Sequence, residues 1–340
     1  MGAAILGQPG GDLVSLRVGA LSWMLAPRDI PLEQRFDWVI QDLPARGLDL
    51  VNGDPRPIFD WASMSIDLGH WADLRATADA QSVEIEPYIR SPFDVLDDPA
   101  ARREIVDSMR AARVLGGPYV RTAYGYLWRD KSRFSRRESL AEHMRRLVCA
   151  LREVARIAEG EGVRLVIENH VDFTGPEWAR MIADVDSEAI RSGFDTGNAL
   201  ALFADPAADT DALAPWAASV QVKDFAVVES GARDILGSQP PFRIAGCALG
   251  DGDVDVAGAV NEVLRRGPRG RDTPFIAEIS WPLTRPGSDA REVALEMLTR
   301  SVAYLRAFRP AVALGSDSHR DRAGTTRRPV ALPDLNEQII

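Results

Sequence analysis

Short apolar runs recur along the chain, and each is followed by a longer segment with helical periodicity. The runs are LRVGALSW (16–23), LDLVNGD (48–54), VEIEPYI (83–89), YVRTAYGY (119–126), RLVIENH (164–170), SGFDTGN (192–198), SVQVKDF (219–225) and FIAEISW (275–281). Between them lie amphipathic stretches such as LEQRFDWVIQDLPARG, AARREIVDSMRAARVLGG and SLAEHMRRLVCALREVARIAEGEG, several closed by glycine, a normal helix stop. Eight strands in strict alternation with helices predict an α/β fold, a closed (β/α)8 TIM barrel over residues 16–310. A doubly wound open sheet is the rival, but no GxGxxG follows the first strand. Residues 1–15 read as an N-terminal extension. After the last expected helix, AREVALEMLTRSVAYLRAF, the polar residues 311–340 read as a C-terminal tail. Ala226–Thr273 is too long for a simple βα connection and is expected to contribute a binding loop. Its GDGDVD is expected to be a turn and helix start, without the spacing of a calcium loop.

Composition narrows the function. Fifty acidic and 40 basic residues give a net charge of −10, which argues against a nucleic-acid partner. Two cysteines, Cys149 and Cys247, with no CxxC spacing, exclude a disulfide framework and fit a reducing cytoplasm. No apolar run is long enough to span a membrane, and MGAAILGQPGG lacks a signal peptide's positive start, so no membrane partner is expected. Four histidines, His70, His143, His170 and His319, exclude a histidine-rich metal cluster. His70, at an expected helix start, reads as structural.

The chemistry gathers at the strand ends, where such barrels place it. Four of the expected strands end in polar groups: Glu168 in IENH, Asp195 in FDTGN, Gln221 in VQVKD and Glu278 in IAEIS. Side chains alternate along a strand, so His170 shares the face of Glu168, and Lys223 that of Gln221. On the same argument Gly193 and Gly197 share the face of Asp195 and leave room. Three carboxylates in one small space must protonate, pair or bind a cation. All-oxygen donors favour a hard divalent ion, Mn²⁺ or Mg²⁺, with Co²⁺ as a further option. The competing reading is ion pairing with Lys223 and barrel arginines. Arg121 and Glu86 either face the substrate or form a buried pair between neighbouring strands. Trp23 and Trp281 flank the expected mouth, as substrate wall or as core.

ENH, DTGN, QVKD, GDGDVD and the final AE resemble the motifs of the xylose isomerase-like TIM barrels, the sugar phosphate isomerase/epimerase superfamily, over roughly residues 16–308. The resemblance implies that Glu168, Asp195, Gln221 and Glu278 hold one divalent metal. It also implies that Glu168 and Glu278 serve as an acid/base pair. Gln221 stands where most members carry histidine, although some 3-dehydroshikimate dehydratases also carry glutamine there. Asn198 stands where many members have a substrate-contacting histidine. The implied activity is that of an isomerase or epimerase of a keto sugar or polyol derivative, working through a metal-stabilised enediolate. His170 and Lys223 would join Glu168 and Glu278 as catalytic groups, and Asn198, Arg121, Glu86, Trp23 and Trp281 would contact substrate. The alternatives are a lyase on the same substrates and a non-catalytic binding barrel. The lyase would be a 3-dehydroshikimate or inosose dehydratase, or a decarboxylase of a 3-oxo sugar acid. The expected partner is a small molecule, and a homo-oligomer is compatible with the sequence.

Overall fold

The computed structural model describes residues 15–56, 66–91, 99–125, 133–229, 242–284 and 287–310. The expected N-terminal extension before residue 15, the tail 311–340 and residues 230–241 of the long 226–273 segment lie outside the described residues. Val14–Phe308 forms one compact unit. Its frame is eight parallel strands: β1 (Arg17–Leu21), β2 (Leu50–Gly53), β3 (Glu84–Pro87), β4 (Tyr119–Tyr124), β5 (Arg164–Asn169), β6 (Ile190–Asp195), β7 (Ala217–Val222) and the last barrel strand, Pro274–Ala277. The last barrel strand lies between β1 and β7, and the order continues through β6 and β5 to β4 on one side and through β2 to β3 on the other. The Tyr88–Arg121 bridge and the hydrogen bond from Ile89 N to Arg121 O, 2.9 Å, bring β3 and β4 together. All eight strands stand where the apolar runs predict them.

Helices cover the outside, so the strands are buried on both faces; β6 and β7 are buried along their whole length. The helix Leu140–Gly160 begins with a capping box between Ser139 and Glu142, and Asp67 caps Leu68–Ala80 by accepting from Gly69 N and His70 N. His70 therefore lies in the first turn of a helix, as expected. Among the described residues, no helix is long and apolar enough to cross a membrane.

The expected strand 219–225 stops at Val222. The cause is a side chain from the end of β6: the Thr196 hydroxyl accepts from Lys223 N at 2.9 Å and donates to Lys223 O at 2.7 Å, taking the place of a ladder partner. The chain then enters a separate antiparallel ribbon, β8 (Phe225–Glu229) with β9 (Phe242–Gly246); in chain order the last barrel strand is β10. Asp224, between barrel and ribbon, organises the GDGDVD turn. Its carboxylate accepts from Gly250 N and Gly252 N at 2.9 Å and from Val254 N at 3.2 Å. Asp255 then caps the helix Val256–Arg266 by accepting from Gly258 N. GDGDVD is thus a turn and helix start, held by the aspartate of QVKD. At Gly252 an added Cβ would stand 2.1 Å from Asp224 Oδ1, so only glycine allows the approach.

Asp224→Ala should leave three amide groups short of an acceptor, at about 1–3 kcal/mol for each buried unsatisfied group. The expected result is a thermal midpoint lowered by several degrees, with Asp224→Asn intermediate. A midpoint unchanged in both variants would mean that the turn holds without this carboxylate.

Candidate active site at the barrel mouth

The C-terminal ends of β5, β6, β7 and β10 are neighbours in the barrel, and pairing sets their depth. Glu168 pairs with Gly193, Asp195 with Gln221, and Gln221 with Ile276. Glu278 follows β10 directly and donates its backbone N–H to Val222 O at 3.1 Å, continuing the ladder by one residue. Glu168, Asp195, Gln221, Lys223 and Glu278 are all buried. Glu168, His170, Gln221, Lys223, Glu278 and Trp23 share a cavity of about 130 Å³. A larger hollow of about 500 Å³ lies outside the barrel mouth, against the helices Leu32–Asp42 and Leu68–Ala80; His70 lines it, and none of these mouth groups does.

Lys223 is at the centre. Its Nζ lies 2.9 Å from Asp195 Oδ2, 2.9 Å from Glu278 Oε1 and 4.0 Å from Glu168 Oε1. Burial works to lower the Lys223 pKa, but Asp195, Glu278 and Glu168 outweigh it and hold the amine charged well beyond neutrality. For Glu168, burial pushes upward, yet the charges of Lys223, His170 and Arg121 prevail and keep the carboxyl below its ordinary value. Asp195 goes the other way: burial, assisted by Glu168 and Glu278, raises it to about 6 despite Lys223. Glu168 Oε1 also accepts from Asn198 Nδ2 at 3.1 Å, and Glu278 Oε1 from Ser280 Oγ at 2.7 Å. Asp195 Oδ1 accepts from the backbone N–H groups of Gly197 and Asn198, whereas Oδ2 is held by the Lys223 ammonium.

A second buried cation lies on β4. Arg121 is fully buried and donates through Nε to Glu86 Oε1 at 2.8 Å, through Nη1 to Gln221 Oε1 at 2.8 Å and through Nη2 to Ser219 Oγ at 2.9 Å. Guanidinium only donates, so the atom of Gln221 facing it must be the amide oxygen. Gly193 makes this possible, because a Cβ there would stand 2.8 Å from Arg121 Nη1; likewise a Cβ at Gly197 would stand 2.8 Å from Lys223 Cβ. Both glycines provide the room expected of them.

The structure thus brings Glu168, His170, Asp195, Gln221, Lys223 and Glu278 together, with Asn198 behind Glu168. Trp23 lines the cavity and is half exposed. Trp281 is 58% exposed, stacks on Phe225 at 5.6 Å and stands outside the cavity lining. Arg121 and Glu86 form the buried interstrand pair and do not line the cavity. His170 Nδ1 meets Gly125 O, which orients its ring. Sequence reasoning passed over Asn52, Asn169 and Ser280. Asn169 straps β5 to β6, accepting from Asp195 N at 2.7 Å and donating to Asp195 O at 3.2 Å. Ser280 shares the face of Glu278 by period two, and Asn52 is a polar residue next to the end of β2; both signals were in the sequence.

The residues can be tested against a divalent ion. Among the described residues, no three His, Cys, Asp or Glu side chains converge closely enough to hold a metal as they stand, since the Lys223 ammonium lies between them. The donor chemistry nevertheless fits. Three carboxylates and an amide oxygen are hard donors. Among the described residues, the buried carboxylates Glu86, Glu168, Asp195 and Glu278 outnumber by two the buried cations that pair with them, Arg121 and Lys223. Asp195 Oδ2 has Lys223 as its partner and would exchange that cation for the ion.

Arg121→Met should be among the most damaging core substitutions, because it strands Glu86 and frees Gln221. Breaking a buried pair costs about 3–5 kcal/mol. Chemical denaturation should show a loss of that order, and Glu86→Gln added to Arg121→Met should recover part of it. Stability unaffected by the single change would show that the pair carries no weight.

Comparison with known proteins agrees with the fold. Among curated proteins no match is found. The structure is similar to a xylose isomerase-like TIM barrel protein from Mycobacterium smegmatis in complex with magnesium, at 17% identity and TM-score 0.59, covering 86% of this chain and 96% of that one. It is similar to an L-ribulose 3-epimerase at 17% identity and TM-score 0.58, covering 85% and 93%. It is also similar to the probable 3-DHS dehydratase of Bacillus anthracis, at 13% identity and TM-score 0.58, covering 85% and 98%. The model of the family described as xylose isomerase-like TIM barrel matches residues 39–301, and the chain belongs to that family.

Proposed function

We propose that this protein is a divalent-metal-dependent isomerase or epimerase of a keto sugar or keto polyol. The observation that carries the reading is the group of three carboxylates, Glu168, Asp195 and Glu278, gathered at the mouth with a charge deficit that a divalent cation would fill. Those three side chains would hold Mn²⁺ or Mg²⁺. Gln221 would join them through the lone pair of Oε1 that Arg121 leaves free. Bound there, the ion would supply Lewis acidity toward the two adjacent oxygens of an α-hydroxy ketone.

The chain's own groups then divide the work. β6 and β7 separate Glu168 on β5 from Glu278 beside β10, so the two carboxylates address a substrate between them from opposite sides. Each can take or return the proton on the carbon between the two oxygens. Asn198 holds Glu168 in place and Ser280 holds Glu278. Asp195 is less suited to act as the base, because two backbone N–H groups occupy its Oδ1 and Oδ2 faces Lys223 or the ion that would replace it. His170 and Trp23 border the cavity, where they would contact substrate and limit water. A second reading, a lyase on the same substrates, is favoured by the amides Gln221 and Asn198 at positions where many family members carry histidine. It matches the chemistry of the B. anthracis neighbour, just as the lead reading matches that of the epimerase.

Elemental analysis of protein purified without chelator should find about one divalent ion per chain. Glu168→Ala and Glu278→Ala should each lose it, and Gln221→Met should bind Mn²⁺ several-fold more weakly. Full occupancy in both alanine variants would remove the metal assignment, and unchanged affinity in the third would take Gln221 out of the ligand set.

Turnover of keto sugars in D₂O should place deuterium in the product and in recovered substrate. Glu168→Gln and Glu278→Gln should each slow the reaction at least about a hundredfold, the usual scale of acid–base catalysis. Loss of 18 or 44 mass units from the substrate would transfer the protein to the dehydratase or decarboxylase reading. Full activity in both variants would end the proton-transfer roles given to these two residues.

A further inference from the structure

Only two of the 40 basic residues are lysines, Lys131 and Lys223. In a chain that uses arginine almost everywhere, the buried centre of the mouth is a lysine. The geometry explains the choice. A lysine ammonium is a compact point charge, whereas a guanidinium is a wide planar fork. The backbone crowds the Lys223 stem so closely that position 197 has room only for glycine. The ammonium sits among the oxygens of Asp195, Glu278 and Glu168, and Asn198 Oδ1 is 3.5 Å away. The same three carboxylates are the metal ligands under the reading above, on which this inference rests.

We propose that Lys223 is a built-in counter-ion which occupies the carboxylate cage in the metal-free protein and is displaced from it when a divalent cation enters. Two consequences follow from charge alone. Without metal, the ammonium neutralises part of a buried acidic cluster that would otherwise repel itself, so the empty barrel stays folded. With metal, the ammonium must give up its place between Asp195 and Glu278, so part of the intrinsic binding free energy goes into moving it. Lys223 therefore sets the affinity of the site. It also tells against monovalent ions, which bring no more charge than the ammonium they replace. The displaced amine has the adjacent cavity to move into, since Lys223 already lines it. There it would face the substrate oxygens.

The test uses Mn²⁺ alone, titrated by calorimetry into metal-free wild type, Lys223→Met and Lys223→Gln. Thermal midpoints are measured with and without the ion. Both variants should bind Mn²⁺ at least about tenfold more tightly than wild type. They should be less stable than wild type without metal, and saturating Mn²⁺ should close most of that gap. Because only two lysines are present, acetic anhydride labelling read by mass spectrometry reports on Lys223 individually. Its labelling in wild type should rise on adding Mn²⁺. Wild type that binds Mn²⁺ while neither variant binds it more tightly would overturn the proposal and leave the metal-dependent function intact. Tighter binding with unchanged Lys223 labelling would also overturn it, making the lysine a neighbour of the ion rather than the occupant of its place. If neither wild type nor variants bind Mn²⁺, the metal-dependent reading fails first and takes this inference with it.

Discussion

Like charges brought together inside the barrel mouth are the constraint around which this structure is arranged. At an effective dielectric of about 20, two unit charges 4 Å apart interact by about 4 kcal/mol, a sizeable fraction of a domain's total stability. Glu86, Glu168, Asp195 and Glu278 are all buried, so their mutual repulsion must be met by cations placed with similar care. Arg121 meets it lower in the barrel through Glu86, and Lys223 meets it at the mouth through Asp195 and Glu278. The two cations differ in kind because their tasks differ. Arg121 distributes its donors over Glu86, Gln221 and Ser219 and ties three strands together. Lys223 presents one compact charge to three acids.

Much of the surrounding structure can be read as support for that arrangement. Glycine at 193 and 197 makes space for the two cationic side chains. Thr196 ends the β7 ladder at Lys223, and Asp224 turns the following backbone away by gathering the amides of Gly250, Gly252 and Val254. Asn169 fixes the backbone of Asp195 from the neighbouring strand. The motif residues around the acids are thus mostly scaffolding: in ENH the asparagine aligns strands, in DTGN the threonine and glycine admit Lys223, and in QVKD the aspartate anchors a turn. Only a minority of the motif's side chains line the cavity.

The eight strands and their order of chemistry were legible because a parallel barrel buries both strand faces, which leaves each strand as an apolar run, and because polar residues at the ends of such runs stand out. Period two alone put His170 on the face of Glu168 and Lys223 on that of Gln221. What the sequence did not carry was partner choice. Arg121 and Glu86 look alike as inward-facing charges whether they meet a substrate or each other, and the pairing depends on a barrel closure that no local pattern encodes. The early end of β7 was hidden for a similar reason, since the Thr196 hydroxyl that replaces the ladder comes from another strand. Gln221 shows the limit most clearly. Its position at a strand end was plain, but the direction of its amide is set by Arg121, 100 residues away in the chain.

That direction bears on how the site differs from a histidine-bearing one. A neutral imidazole offers a single ring nitrogen to a metal, and its other nitrogen is available to a neighbour. An amide oxygen held by a guanidinium has already spent one lone pair and is drained of electron density by the charge beside it, so it is a weaker donor. A site built this way leans on its carboxylates, and the charge that balances those carboxylates becomes correspondingly important. On the proposed reading Lys223 and Arg121 are parts of one device: Arg121 would fix the weak donor, and Lys223 would neutralise the strong ones until a cation of higher charge competed for them.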